Sequence, residues 1–240
     1  MRGDAVTIVM GLAANDAIYM LADSRITWTN ERDEVSNTRD VCQKLFQAKV
    51  GWCLLGWAGH LCLGRDLVRA TFNRLNATDP LHPDWLRSDD AIRKLIRDCR
   101  ALHAEGRPNH KACRQQAVQL MIGWMDYGRN PFTQSTELLS ISSPSMAIQR
   151  TEFGVDIIGS GDKILDRMRF ESFIEIISRY QEESAGDIKR AFYAAGEAAK
   201  HLRQTRVLTV GGLFQIAVLS SKGSHNFWIT FSYCHLGKQG

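Results

Sequence analysis

The chain has 240 residues, of which 44% are hydrophobic and 23% are charged, with only 5 prolines. This composition can bury a substantial core, so it excludes a disordered chain, a collagen-like repeat and a coiled coil. The 30 Lys and Arg residues exceed the 26 Asp and Glu residues by a formal charge of +4, and so small a surplus does not indicate a nucleic-acid partner.

The first sixty residues are predicted to form strands. Val6–Ala13 and Ile18–Asp23 are short apolar runs bounded by turn residues. The polar segment 26–41 is predicted to be an irregular excursion, and further strands are predicted at Lys44–Ala48 and Trp52–Trp57. Because these runs are continuously apolar rather than alternating, they indicate strands that are covered on both faces.

The hydrophobic period then changes to that of a helix. Apolar residues at helical spacing predict a helix over Leu61–Leu75, and a second helix begins after Ser88, a suitable N-cap residue. The remaining predicted elements are Ala117–Trp124, Glu137–Ile141 and Val155–Ile158 as strands, Asp162–Tyr180 and Ala185–Leu202 as helices, and Gly211–Leu219 with Phe227–Tyr233 as a closing hairpin. Sets of strands alternate with pairs of helices, which fits helical layers covering stacked sheets in a single domain over residues 1–240.

The cysteines and the termini indicate the compartment. The six cysteines include no CxxC pair, and several lie in apolar runs where a thiol packs as a small hydrophobe. The N-terminus has no secretion signal, and no apolar run reaches the roughly 20 residues of a membrane span. We therefore expect a reduced, soluble, cytoplasmic protein with no membrane partner.

One strand ends in a residue that is awkward to bury. Asp23 closes an otherwise apolar run, and a buried carboxylate requires compensation. Lys44 on an adjacent strand would supply it, and the pair would favour the alkoxide of a neighbouring hydroxyl such as that of Thr7. The same residue types also fit an ordinary interpretation, with Thr7 as a strand former, Asp23 as a turn cap and Lys44 in solvent. Taken singly, each residue is more often of this ordinary kind.

The order of several short motifs along the chain is more informative than any of the residues taken singly. In chain order these motifs are Thr7, Asp23-Ser24-Arg25, Lys44-Leu45-Phe46, Gly56-Trp57-Ala58-Gly59, Ile158-Gly159-Ser160-Gly161 and Gly211-Gly212. This arrangement resembles the β-type subunits of the proteasome and the bacterial HslV peptidase, which are N-terminal nucleophile hydrolases. Each motif is short, and their joint order over most of the chain carries the resemblance.

The resemblance implies an α+β fold, a four-layer αββα sandwich, and a threonine peptidase without a cofactor. Thr7 would attack a peptide or amide carbonyl with its own freed amine as the base. Asp23 and Lys44 would tune the hydroxyl, and the Gly59 N–H would stabilise the developing oxyanion, with Ser160 nearby.

The resemblance also implies binding partners. The backbone around Thr27 would bind an extended peptide or unfolded protein as an added strand, and Trp57 would line the specificity pocket and favour small side chains. The chain would assemble with itself into a homo-oligomeric ring and work with an unfoldase partner.

Two features depart from the family. Residues 1–6 precede Thr7, so they would be a propeptide removed by self-cleavage at Val6–Thr7, where the family usually has glycine before the threonine. Val207 and Val210 stand where the family usually places Asp and Ser. A competing interpretation is therefore a non-catalytic ring or scaffold subunit that is never processed. A third is an amidase acting on a small molecule.

A second constellation contains two cysteines and two histidines. Cys99 and His103 are four residues apart on a predicted helix, and His110 and Cys113 follow beyond a turn. Thiolates and imidazoles of this kind hold tetrahedral zinc, but the spacing matches no common zinc finger. The default interpretation is a packed thiol beside exposed histidines, so no metal is expected.

Overall fold

The computed structural model describes residues 8–13, 17–29, 35–40, 42–48, 52–79, 83–105, 116–126, 135–159, 214–220 and 229–231. The strands among them are β1 Ile8–Ala13, β2 Ala17–Asp23, β3 Ile26–Thr29, β4 Val35–Arg39, β5 Leu45–Gln47, β6 Cys53–Gly59, β7 Val118–Asp126, β8 Ser135–Ser143, β9 Ala147–Thr151, β10 Gly154–Gly159, β11 Phe214–Ser220 and β12 Ile229–Phe231. The helices are α1 Leu61–Asn76, α2 Asp84–Arg87 and α3 Asp89–Glu105.

Two antiparallel sheets of five strands form the centre of the molecule. The first sheet has the order β10-β1-β2-β11-β12, and the second has the order β5-β6-β7-β8-β9. Apolar side chains from both sheets form one buried cluster, which includes Val9, Met20, Leu54, Met121 and Leu138. The two sheets therefore pack face to face, as in a sandwich.

The sheets approach closely where a strand carries no side chain. A Cβ placed on Gly56 in β6 would lie 2.7 Å from Val9 Cγ1 in β1 and 3.0 Å from Met20 Cε in β2. A Cβ on Gly11 in β1 would lie 2.7 Å from Met121 Sδ in the facing strand β7. The separation of the two sheets thus depends on glycine at these positions.

A helical layer covers the outer face of the second sheet. Helix α1 packs on β6 and β7 and against α3. Its N-terminus is capped by His60, whose Nδ1 accepts a hydrogen bond from Leu63 N at 3.3 Å. Ser88 acts at the start of α3 as its sequence predicts, since its Oγ accepts from Ala91 N at 3.3 Å. Among the described residues, no helix combines the length and apolarity needed to cross a membrane.

The structure confirms most of the predicted elements and corrects three segments. Within segment 26–41, the described residues 26–29 and 35–39 are not irregular, because β3 and β4 pair with each other through Thr27 opposite Thr38. Their β-branched residues favour a strand, but most of their residues are polar, so the two strands form no apolar run that would predict them. Strand β9 and the short helix α2 were not predicted. The predicted helices 162–180 and 185–202 lie outside the described residues.

Candidate active site

Four strand ends of the first sheet meet at one end of the sandwich. Ile8 begins β1 opposite Gly159, which ends β10. Asp23 ends β2 opposite Phe214, which begins β11. The motif residues Asp23 and Gly159, which are far apart in the sequence, therefore lie at the same end of the first sheet.

An ion pair between the two sheets occupies this end. Lys44 Nζ lies 2.8 Å from Asp23 Oδ1 and donates a second hydrogen bond of 2.5 Å to the main-chain oxygen of Arg25. Asp23 Oδ1 also accepts the Ile8 N–H at 3.1 Å. The sequence placed Lys44 on a strand adjacent to that of Asp23, whereas it precedes β5 in the facing sheet. A single carboxylate oxygen thus joins the start of β1 to the lysine of the second sheet.

Complete burial determines the electrostatics of the pair. The side chains of Lys44 and Asp23 are both 0% exposed. Burial lowers the pKa of the Lys44 ammonium from its ordinary value, and the negative charge of Asp23 opposes this by raising it. Two buried charges of this kind depend strongly on each other, because removing either one leaves an uncompensated charge in a dry site.

A second set of contacts holds the chain segments that carry the pair. The Arg25 guanidinium binds the Asp40 carboxylate with two hydrogen bonds, of 2.7 and 3.1 Å. Ser24 Oγ donates to the Asp40 main-chain oxygen at 3.1 Å, and Cys42 N donates to the Ser24 main-chain oxygen at 2.9 Å. The turn after β2 is therefore fastened to the segment that leads into Lys44.

Two glutamines that were not singled out from the sequence also bridge the sheets. Gln215 Oε1 accepts from the N–H groups of Lys44 and Leu45 at 2.8 and 2.9 Å. Gln119 Oε1 accepts from Gly159 N at 2.5 Å. The available signal was a glutamine inside an apolar strand, where an amide side chain requires partners.

Gly59 lies at the end of β6 in a conformation that requires glycine. Its φ is +104°, and a Cβ there would lie 2.5 Å from the Ala117 main-chain oxygen. Because β5 and β6 pair with Leu45 opposite Gly56, the end of β6 lies on the same side as the start of β5. Gly59 therefore belongs to the same end of the second sheet as Lys44.

Thr27 is buried in β3, with 0% of its surface exposed. Its Oγ1 has no hydrogen-bond partner among the described residues. One edge of β3 pairs with β4, and within the described ranges no strand pairs with the other edge.

The backbone of Trp57 lies at this end of the sandwich, since its N–H donates to the Lys44 main-chain oxygen at 3.3 Å, but its side chain points into the core. Its indole is 0% exposed and belongs to the cluster between the second sheet and the helices. It packs against Gly64 of α1, where any Cβ would overlap the ring. Because side chains alternate along β6, Trp57 points to the face opposite Gly56. The indole of Trp57 therefore packs in the core, and the pocket-lining role expected from the sequence stays a prediction.

Thr7 and Ser160 lie outside the described residues. Their neighbours along the chain, Ile8 and Gly159, face each other across β1 and β10. The structure thus places one neighbour of each of these two positions, and the roles of Thr7 and Ser160 stay predictions.

The possible zinc ligands are only partly described. His103 Nδ1 pairs with Asp66 Oδ2 at 2.5 Å, and both line a cavity of about 340 Å³ together with Cys99. Burial raises the pKa of Cys99 to about 11, which disfavours a thiolate. His110 and Cys113 lie outside the described residues. In the part of the chain that the structure describes, no three His, Cys, Asp or Glu side chains form a metal-binding group.

No protein-family model and no curated protein matches this sequence. Among solved structures, Anbu (ancestral beta-subunit) from Yersinia bercovieri superposes with a TM-score of 0.57 at 16% identity, over 93% of this chain and 87% of that chain. Anbu in a helical assembly from Pseudomonas aeruginosa superposes with a TM-score of 0.60 at 15% identity, over 93% and 86%. This chain shares its overall fold with these two structures. HslV from Trypanosoma brucei overlaps more loosely, with a TM-score of 0.48 at 16% identity, over 89% and 99%.

The Anbu likeness confirms the predicted fold class, an α+β sandwich of helices and stacked sheets. The superpositions establish a shared fold. Because the identities are only 15 and 16%, the chemistry has to be argued from the residues of this chain. The buried Asp23–Lys44 pair is the feature of this end of the sandwich from which such an argument can start.

Proposed function

We propose that this chain is a self-assembling N-terminal nucleophile hydrolase that cleaves peptide bonds, with Thr7 as its nucleophile. The observation that carries the proposal is the buried ion pair between Asp23 and Lys44. Asp23 also binds the N–H of Ile8, the residue that follows Thr7. An ionised pair fixed beside the first residue of a strand has the parts that hydroxyl activation requires.

In the proposed reaction, Thr7 Oγ adds to the substrate carbonyl, and the free amine of Thr7 accepts the hydroxyl proton. The ammonium of Lys44 stabilises the developing alkoxide, and Asp23 keeps that ammonium charged against the effect of burial. The Gly59 N–H binds the oxyanion, and Ser160 assists from the segment after β10. The amine then returns its proton to the leaving nitrogen, and water releases the acyl group from Thr7.

Substrate binding is proposed at the edge of β3 that faces away from β4. An extended peptide would add there as a strand, held by the backbone around Thr27. Main-chain recognition of this kind tolerates many side chains, which suits unfolded protein as the substrate.

The proposal includes self-association. The Anbu of Pseudomonas aeruginosa is described as a helical assembly, and its fold is shared over 93% of this chain. We propose that copies of this chain associate into a ring or helix, act in the cytoplasm and receive substrate from an unfoldase.

The mass of the purified chain tests the proposal directly. Self-cleavage at Val6–Thr7 would remove residues 1–6, and Thr7→Ala would abolish that cleavage because no hydroxyl remains to attack the bond. Thr38→Ala in β4 is the matched control, since it removes the same hydroxyl from an exposed site, and it should be processed normally.

A chain that keeps residues 1–6 under all conditions, and assembles nonetheless, would instead establish the non-catalytic scaffold. The valines at positions 6, 207 and 210 are the sequence features that favour this second function. Processing followed by hydrolysis of small amides, with peptides left intact, would identify the amidase.

A further inference from the structure

Gln215 connects the two sheets at the same end as the ion pair. It lies in β11 of the first sheet, where it pairs with Ala22, the neighbour of Asp23. Its side chain reaches the segment before β5 in the second sheet. There Oε1 accepts from Lys44 N at 2.8 Å and Leu45 N at 2.9 Å, and Nε2 donates to the Cys42 main-chain oxygen at 2.6 Å.

These contacts hold Lys44 at both of its ends. Gln215 binds the Lys44 backbone, while the ammonium binds Asp23 Oδ1 and the main-chain oxygen of Arg25. Both sets of bonds cross from the second sheet to the first sheet or to the turn that follows β2. A lysine side chain has four flexible carbons, so its ammonium is placed reproducibly only if its backbone is fixed relative to its partner.

The chemistry of the three contacts requires an amide of this length. Lys44 N and Leu45 N belong to the edge of the second sheet, where main-chain N–H groups need a partner outside the ladder. One carbonyl oxygen serves both of them, and the NH₂ group on the same planar amide serves Cys42. A leucine would offer none of these bonds, and an asparagine is one methylene shorter.

We propose that Gln215 is a positioning residue of the active site, which fixes the Lys44 backbone so that its ammonium meets Asp23. The assignment rests on the proposed function only in taking this pair as the catalytic one. The hydrogen bonds of Gln215 go to main-chain groups of Cys42, Lys44 and Leu45 and not to the ammonium, so Gln215 acts through the Lys44 backbone. A misplacement on the order of 1 Å in such a site is enough to cost about a hundredfold in rate.

The test compares Gln215→Leu with Gln119→Leu in the full chain. Gln119 is the matched control because it is also a glutamine that binds a main-chain N–H across the two sheets, at Gly159. Hydrogen exchange of single amides and the titration of the Lys44 side chain, both followed by NMR, need no enzymatic turnover. Gln215→Asn is a second variant that keeps an amide in the strand and guards against a leucine variant that does not fold.

In Gln215→Leu, the amides of Lys44 and Leu45 should exchange about tenfold faster or more, because each loses its acceptor. A loosened segment weakens the contact with Asp23, which lowers the pKa of Lys44, and admits water, which raises it. Because burial is the larger of the two effects on this group, the pKa of Lys44 should rise towards its ordinary value. Gln215→Asn should likewise speed the exchange of the two amides and raise the pKa of Lys44. Gln119→Leu should change exchange at Gly159 and leave both Lys44 readouts as they are.

A folded Gln215→Leu or Gln215→Asn chain with the wild-type Lys44 titration would overturn the proposal. An equal change of the Lys44 titration in Gln119→Leu would also overturn the proposal, since it would mean that the loss of any hydrogen bond between the sheets shifts the pKa of Lys44. If the processed chain cleaves peptides, Gln215→Asn should lower kcat on the order of a hundredfold with little change in KM. If the chain is never active, the proposed function fails while the two NMR readouts still decide the role of Gln215.

Discussion

The strongest quantitative prediction concerns the coupling between Lys44 and Asp23. Their atoms are 2.8 Å apart with both side chains 0% exposed. At an effective dielectric constant of about 20, that separation corresponds to an attraction of roughly 6 kcal/mol before the cost of desolvation. Replacing either residue alone, as Lys44→Met or Asp23→Asn, should lower the free energy of unfolding by about 3–5 kcal/mol, because the remaining charge is buried without its partner.

The double variant should be more stable than the sum of the single losses implies. With both charges gone, methionine fills the space of the lysine, and the asparagine oxygen can still accept the N–H of Ile8. We expect a coupling energy of about 3 kcal/mol from the cycle of wild type, Lys44→Met, Asp23→Asn and the double variant. Urea unfolding followed by circular dichroism at neutral pH measures it, provided that the dependence on urea is the same in all four chains.

An exposed pair provides the control. Lys94 Nζ and Asp98 Oδ2 in α3 are also 2.8 Å apart, but their side chains are 71% and 58% exposed. The corresponding cycle of Lys94→Met and Asp98→Asn should give a coupling of only about 0.3–0.5 kcal/mol. A buried coupling no larger than the exposed one would refute the reasoning that burial makes Asp23 and Lys44 interdependent.

Three further predictions follow from the same structure. Burial lowers the pKa of Lys44 in the folded chain below the ordinary 10.5. At a pH between the pKa of the folded chain and that of the unfolded chain, the unfolded chain therefore binds more protons. The free energy of unfolding should then rise with pH there by up to about 1.4 kcal/mol per unit, and urea midpoints should lack this rise in Lys44→Met. Gly64→Ala should lose about 1–3 kcal/mol because its methyl group overlaps Trp57; an unchanged melting temperature would contradict this. Arg150→Met should lose about 2 kcal/mol in urea unfolding, since Arg150 binds Glu137 and Asp89 at 2.7 and 2.8 Å; a loss near zero would show those bonds to be dispensable.

Apolar patterning was sufficient to predict the sandwich and its first helical layer. Continuous apolar runs identify β1, β2 and β6 because these strands are covered on both faces. The ribbon of β3 and β4 was missed because its residues are mostly polar, so no apolar run marks either strand. Pairing between two short strands depends on partners that no local window of the sequence contains.

The site was predictable to the extent that its residues belong to short motifs. Asp23 and Lys44 were found because a carboxylate at the end of an apolar strand needs a cation. Trp57 was expected to line a pocket, whereas the alternation of side chains along β6 places its indole opposite Gly56, in the buried cluster between the second sheet and the helices. Gln215 was missed because its three partners are about 170 positions away in the sequence, and that proximity exists only after folding.

The absent side chain at Gly56 has a consequence for how this fold can vary. Val9 and Met20 fill the space above Gly56, on strands that lead to Ile8 and Asp23 respectively. A methyl group at this glycine would push the two sheets apart and increase the distance between the Lys44 ammonium and Asp23. Substitutions that touch no charged group can therefore disturb the ion pair, and a survey of variants in which the Lys44–Asp23 contact is lost should find some of the substitutions deep in the interior.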